Sequence, residues 1–173
     1  PIDLNRDLEA VLDGPVDLIT TSALLDLVSE PWLERLAIEI AARSIPLYAA
    51  LSYDGRIGID PADPHDAAII AAVNAHQRTD KGFGPALGPT AASVAVARFE
   101  ALGYSVVHGT SDWVIGPQHG EFQMEILSGW ASAAREIGEV PLADTVEWLT
   151  RRRDAAGRSS LRVGHVDFFA VPM

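Results

Sequence analysis

Three hydroxyls in a row, Thr20-Thr21-Ser22, end a short apolar run and are followed by Ala23 and Leu24. Small residues at such a point let a ligand approach the backbone, and the hydroxyls offer hydrogen bonds. The same residues suit a cap on the turn that follows. A second polar group lies in "HQRTDKGFGPALGPTA", residues 76–91, with three glycines and two prolines between apolar helical stretches. Long connections without secondary structure of their own are usually functional or disordered. His76, Asp80 and Lys81 have the donors and charges to orient a bound molecule, and Phe83 has a ring to stack on one. Equally, His76 and Asp80 are spaced to pair at a helix end, and Phe83 suits an anchor to the core.

Other chemistries fit poorly. Gly82-Phe83-Gly84 with Gly88 is not a phosphate loop: it follows a helical pattern, lacks the Lys-Ser/Thr ending, and loses amide donors at Pro85 and Pro89. Asp60, Asp63 and Asp66 recur every third residue, but Asp63 before Pro64 reads better as a helix cap than as a hard-metal ligand, and no metal site is expected. His65, His108, His119 and His165 show no zinc spacing, and no Gly-x-Ser-x-Gly elbow occurs. Ser111-Asp112-Trp113 follows a strand pattern, which leaves Trp113 either packed or facing a ligand.

The elements that would position these residues alternate. Leu4, Leu8, Val11 and Leu12 share a helix face behind Asp3, and Gly14-Pro15 stops it. Val16–Thr21 reads as a buried strand. Ser29 caps a helix with Pro31 in its first turn and Trp32, Leu33, Leu36, Ala37 and Ile40 as its stripe. Residues 46–53 form a second strand, and Asp54-Gly55 signals a tight turn with "RIGI" pairing back. Helices follow from Asp63-Pro64 to about Arg78 and from Pro89 to Gly103, then a strand at 104–109. Helices at 119–137 and 142–156 precede a last strand at 161–172, bent at Gly164. Alternation of this kind predicts an α/β fold with a largely parallel sheet covered on both faces. The long helical insertion leaves the direction of the last two strands open.

Composition narrows the function. The chain has 173 residues, 48% of them apolar, which is enough for one domain with a real core. Its net charge of −11 argues against nucleic acid. Arg151-Arg152-Arg153 is expected on a solvated helix face. With no cysteine there are no disulfides or thiolate sites, which fits a cytoplasmic protein. No signal peptide or membrane-spanning run is evident, so no membrane role is expected. The chain opens with Pro1, not Met, and enters a helical pattern almost at once, as it would with a segment removed upstream or with a processed start.

"DLITTSALLDLVSEPWLERLA", "LSYDGRIGIDPADPHD", "HQRTDKGFGPALGP", "SDW" and "RVGHVDFFA" resemble a bacterial group of class I S-adenosylmethionine-dependent methyltransferases. The resemblance covers nearly the whole chain. It implies a Rossmann-like sheet of seven strands, in the order 3-2-1-4-5-7-6 with the seventh antiparallel. Val16–Thr21 then resembles strand four, Pro46–Tyr53 strand five, Tyr104–Gly109 strand six and Leu161–Val171 strand seven. Nothing resembles strands one to three, with their glycine-rich turn and ribose-binding carboxylate. Residues 1–173 would thus be a single partial methyltransferase domain, the C-terminal half of the sheet with helices on both faces and a helical insertion.

In open α/β sheets ligands bind beyond the carboxyl ends of the strands, where strand order reverses. On the implied mapping, Thr20, Thr21, Ser22, Ala23 and Leu24 would contact S-adenosylmethionine in the intact enzyme, with weak or no binding to this chain alone. Residues 76–88 would be a lid where the methyl acceptor enters, or a structural loop. Tyr53, His76, Asp80, Lys81, Phe83 and Trp113 are the candidate acceptor contacts. Methyl transfer needs mainly alignment, so no residue is assigned as catalytic, although Tyr53, His76 and Asp80 are the nearest candidates for a base. The acceptor is open. The expected function is the C-terminal part of a methyltransferase, inactive as a fragment; the alternative is a non-catalytic binding or assembly module built on a half Rossmann sheet. With strand one absent, Val16–Thr21 becomes an apolar edge, so a homodimer or higher oligomer through that edge is expected.

Overall fold

The structure, a computed structural model, describes residues 2–173. In chain order the elements are α1 (Leu8–Val11), β1 (Ile19–Ser22), α2 (Glu30–Ala42), β2 (Leu47–Asp60), α3 (Asp66–His76), α4 (Ala91–Ala101), β3 (Tyr104–Thr110), β4 (Trp113–Ile115), α5 (Gly120–Ile137), α6 (Leu142–Ala155) and β5 (Ser160–Pro172). The fold is α/β with a mixed, open five-stranded sheet in the order β1-β2-β5-β3, and β4 also pairs with β5. The chain divides into two compact units. The first holds the chain up to Gly55, Arg78–Ser111 and His165–Met173; the second holds Arg56–Gln77 and Asp112–Gly164.

In the first unit β1 runs parallel to β2, pairing Ile19 with Leu47 and Ser22 with Ala50. β3 runs antiparallel to β5, from Tyr104 opposite Pro172 to Thr110 opposite Val166. The predicted stripe of α2 is buried, and it shares one core with Leu47, Ala49, Phe99, Phe168 and Ala170. Tyr104 fixes the end of β3: its hydroxyl donates to the carbonyls of Ile40, at 3.2 Å, and Ile45, at 3.0 Å. The expectation of helices on both faces of these strands is not met here. Tyr48, Val107 and Phe169 are 39%, 71% and 40% exposed, the alternation of strands with one wet face.

The second unit packs α3, α5 and α6 around Ile69, Val73, Leu127 and Trp148, with Ile115 and Leu161 from β4 and β5. Gln123 is fully buried and satisfied, donating to the carbonyls of Ile115, Gly116 and Ser159 and accepting from the Ser159 hydroxyl. On the outer side of these helices Phe122 is 47% exposed and Val146 55%.

Three local expectations change. The helix predicted from Leu4 begins only at Leu8, because Asp3 ties the preceding residues into a turn; its carboxylate accepts the Asn5 N–H and its carbonyl the N–H groups of Arg6 and Asp7. The expected hairpin at Asp54-Gly55 is absent. A two-residue hairpin of the favoured type needs positive φ at both central residues; of this pair only Gly55 has it, at +87°, and β2 continues to Asp60 instead of pairing back. The arginine run is solvated only in part: Arg151 and Arg153 are exposed, but Arg152 is not. Arg152 is 3% exposed, pairs with the Asp66 carboxylate and donates to the Pro61 carbonyl at 2.6 Å.

Candidate functional site

The carboxyl end of β1 lies beside Ala50 of β2 in the first unit, and both backbones leave the extended region there. Ala23, just past β1, has φ +50°, and Leu51 in β2 has φ +55°. Neither is glycine, and each such residue costs on the order of 1 kcal/mol or more. They sit at the same level: the Ala23 N–H donates to the Ala50 carbonyl at 3.1 Å. The expected cofactor segment Thr20–Leu24 is this strand end. The Thr21 hydroxyl is buried there without a partner among the described residues, and Ser22 and Ala23 are exposed. The capping alternative finds no support, since no side chain caps the short turn Leu25–Leu27 that follows.

Asp167 on β5 holds the bend of β2. Its carboxylate accepts the Leu51 N–H at 2.8 Å, the Tyr48 hydroxyl at 2.9 Å and the Ser111 hydroxyl. Burial pushes its carboxyl up, and these three donors more than offset that, leaving it below the ordinary value. Tyr53, one turn of the pleat further on, is 6% exposed and lies edge-on to His165 with ring centroids 6.3 Å apart. Burial raises its phenol well above the ordinary value, so at neutral pH Tyr53 keeps its proton and does not serve as a base.

Asp26 joins this neighbourhood from the turn after β1. It is 7% exposed, and the backbone N–H groups of Asp26 and Tyr53 point at its carboxylate. Sequence pattern had given no role to Asp26, Ser52, His165 or Asp167. Asp26 lies inside "SALLDLVS", where its apolar neighbours mask it. Ser52, His165 and Asp167 sit within strand patterns, and only the pairing of β5 beside β2 brings them to the strand end.

The loop between α3 and α4 is pinned in the first unit. Asp80 accepts the N–H groups of Gly82, at 2.7 Å, and Gly84, at 3.0 Å. The Gly82 carbonyl accepts from the Asn5 side chain, and the Leu87 N–H donates to Val28. Phe83 meets Trp32 edge-on with centroids 5.3 Å apart. Lys81 is half-buried. Beside the loop, Ser29, Glu30, Arg78, Gly84, Leu87 and Thr90 line an open cleft of about 600 Å³.

The remaining candidates belong to the second unit. His76 ends α3, and its Nε2 lies 2.9 Å from Glu136 rather than pairing with Asp80. Trp113 on β4 is 40% exposed and packs at a tilt on Phe122, centroids 6.0 Å apart. Asp63 and Asp66 form a reciprocal cap at the start of α3: Asp63 accepts the His65 N–H, and Asp66 accepts the Asp63 N–H. Their remaining capacity is taken by Arg151 and Arg152. Among the described residues no helix is long and apolar enough to cross a membrane. No protein-family model matches the chain, and no curated protein matches it.

Proposed function

We propose that the chain is the C-terminal portion of a class I S-adenosylmethionine-dependent methyltransferase, acting with strands one to three supplied from upstream on the same polypeptide. The strand order carries this reading. β1-β2-β5-β3, with β1 parallel to β2 and β3 antiparallel to β5, matches strands 4-5-7-6 of the sheet that the sequence resemblance implies. The strand end fits the cofactor in chemistry: small exposed residues at Ser22 and Ala23, and an unsatisfied hydroxyl at Thr21. When bound, S-adenosylmethionine supplies an activated methyl group. The chain's own task is to present the acceptor and exclude water. Tyr53, the cleft beside Phe83, Asp80 and Lys81, all in the first unit, belong to the proposed acceptor side; His76 and Trp113, in the second unit, stay as separate candidate contacts. The proposed setting is cytoplasmic.

Calorimetric titration with S-adenosylhomocysteine tests the proposal, on the chain alone and on the polypeptide extended by the residues encoded upstream. We expect no micromolar binding to the chain alone and micromolar binding to the extended protein. Absence of binding to the extended protein would overturn it and favour the non-catalytic module.

A further inference from the structure

Ser29 opens α2, where a serine side chain ordinarily accepts a hydrogen bond from the first turn. Here it caps nothing. Its hydroxyl makes no hydrogen bond among the described residues, although Ser29 is only 7% exposed. Nor is that oxygen sealed like those of Thr21 and Ser52. Ser29 lines the open cleft of about 600 Å³ in the first unit, and its Oγ lies 3.6 Å from where a Cβ would stand on Gly84, another residue of the wall. The first backbone N–H of α2 to find a carbonyl is that of Leu33, which donates to Ser29 at 3.0 Å. The backbone N–H groups of Glu30 and Trp32 stay open at the helix start, and Pro31 between them has none. Arg78 brings a guanidinium to the same cleft, Glu30 a carboxylate, and Pro31, Pro85 and Leu87 an apolar wall. That wall is fixed: the Gly84 N–H donates to Asp80 at 3.0 Å and the Leu87 N–H to the Val28 carbonyl at 2.8 Å.

We propose that this cleft binds a small zwitterion with an apolar body, of the α-amino-acid type. A helix start with open N–H groups favours an anion, and the Ser29 hydroxyl and the Arg78 guanidinium add donors for a carboxylate. Glu30 decides the rest. Its carboxylate repels a simple anion, while Arg78 and the helix start repel a simple cation. A ligand with both charges meets each with its opposite, its ammonium donating to Glu30. The cleft is of the size that holds small ligands, and the ligand's apolar body packs on the two prolines and Leu87. That this ligand is the methyl acceptor rests on the methyltransferase reading; its binding does not.

The test is an amide NMR titration of this chain with phenylalanine, with 3-phenylpropanoate, which lacks the amine, and with phenethylamine, which lacks the carboxylate. Phenylalanine should shift the amides of Glu30, Trp32 and Gly84, and each control should bind about tenfold more weakly, the size of one charge-assisted hydrogen bond. Ser29→Ala should weaken phenylalanine and 3-phenylpropanoate alike, about threefold. It should leave the melting temperature unchanged, because the side chain caps nothing. Glu30→Gln should weaken phenylalanine and tighten 3-phenylpropanoate. No shift from phenylalanine, equal affinity for the three probes, unchanged affinity in Ser29→Ala, or a Glu30→Gln effect of one sign on both carboxylates would overturn the site. The cofactor titration above is independent of all these outcomes.

Discussion

Arg152 and Asp66 meet where the second unit is nearly closed to water, with side chains 3% and 14% exposed. Removing one member of such a pair leaves the other charge uncompensated. We expect Arg152→Ala to cost about 3–5 kcal/mol in urea unfolding. A loss below about 1 kcal/mol would mean that water reaches the pair. The neighbouring pair has a pH signature. The Arg151 guanidinium beside Asp63 holds its carboxyl at about 2, below the ordinary 3.8. A carboxyl depressed in the folded state stabilises the fold above its unfolded value, and that contribution is lost as pH falls through the folded value. Stability should therefore drop between about pH 5 and about pH 2, and the Arg151→Ala chain should show a smaller drop over the same interval. Equal acid profiles for the two chains would count against the pair. Asp26 has the opposite sign. Burial raises its carboxyl, and the backbone N–H groups of Asp26 and Tyr53 together with nearby His165 offset that only in part, so its charge costs stability as pH rises above the carboxylate range. We expect Asp26→Asn to melt higher than the native chain at pH 7 and no higher near pH 3.

At the scale of elements, the loop from Arg78 to Gly88 is held by its own glycines and by Phe83. Gly82 and Gly84 take φ of +99° and +85°, which lets both N–H groups turn toward Asp80. Phe83 then lands on Trp32. We expect Phe83→Ala to lower stability by about 1–3 kcal/mol, from lost apolar area and the edge-on ring contact. Lys81→Ala should leave the melting temperature unchanged and lower turnover only in the extended enzyme. If both substitutions spare stability, the loop is not anchored through its ring. β2 makes a related point about strands. Its fourteen residues include positive φ at Leu51 and Gly55, so the strand is redirected rather than reversed, and Asp167 holds the first of these departures in place.

For the molecule as a whole, β1 lies at one end of the strand order and, among the described residues, pairs only with β2. It is four residues long, beside Leu18 at 47% exposure. Short edges limit unwanted pairing, but an open edge flanked by apolar side chains still invites it. We expect this chain to form a homodimer or higher oligomer through residues around Val16–Leu25. Light scattering at micromolar concentration checks this, with Leu18→Lys expected to shift the population toward monomer. A monodisperse monomer of the native chain would show that the edge needs no cover.

The sequence by itself determined the helices and most strand positions. Periodicity and stop signals are local, so α5 at Gly120–Ile137 and α6 at Leu142–Ala155 fall almost where their patterns place them. The buried stripe of α2 was legible for the same reason. Of the candidate site, the strand end Thr20–Leu24 and Tyr53 could be read, because small hydroxyl residues after an apolar run are a local feature. The tertiary structure decided what depends on partners distant in the chain. β4 was missed because three residues carry too little pattern, and it forms only by pairing with β5. Arg152 read as solvated because its helix is mostly polar; burial came from Asp66, 86 residues away. Asp26 and Ser52 carry no spacing signal at all. They come to be buried near one another's chain segments only because β2 pairs in parallel beside β1, and no described residue satisfies their inner oxygens.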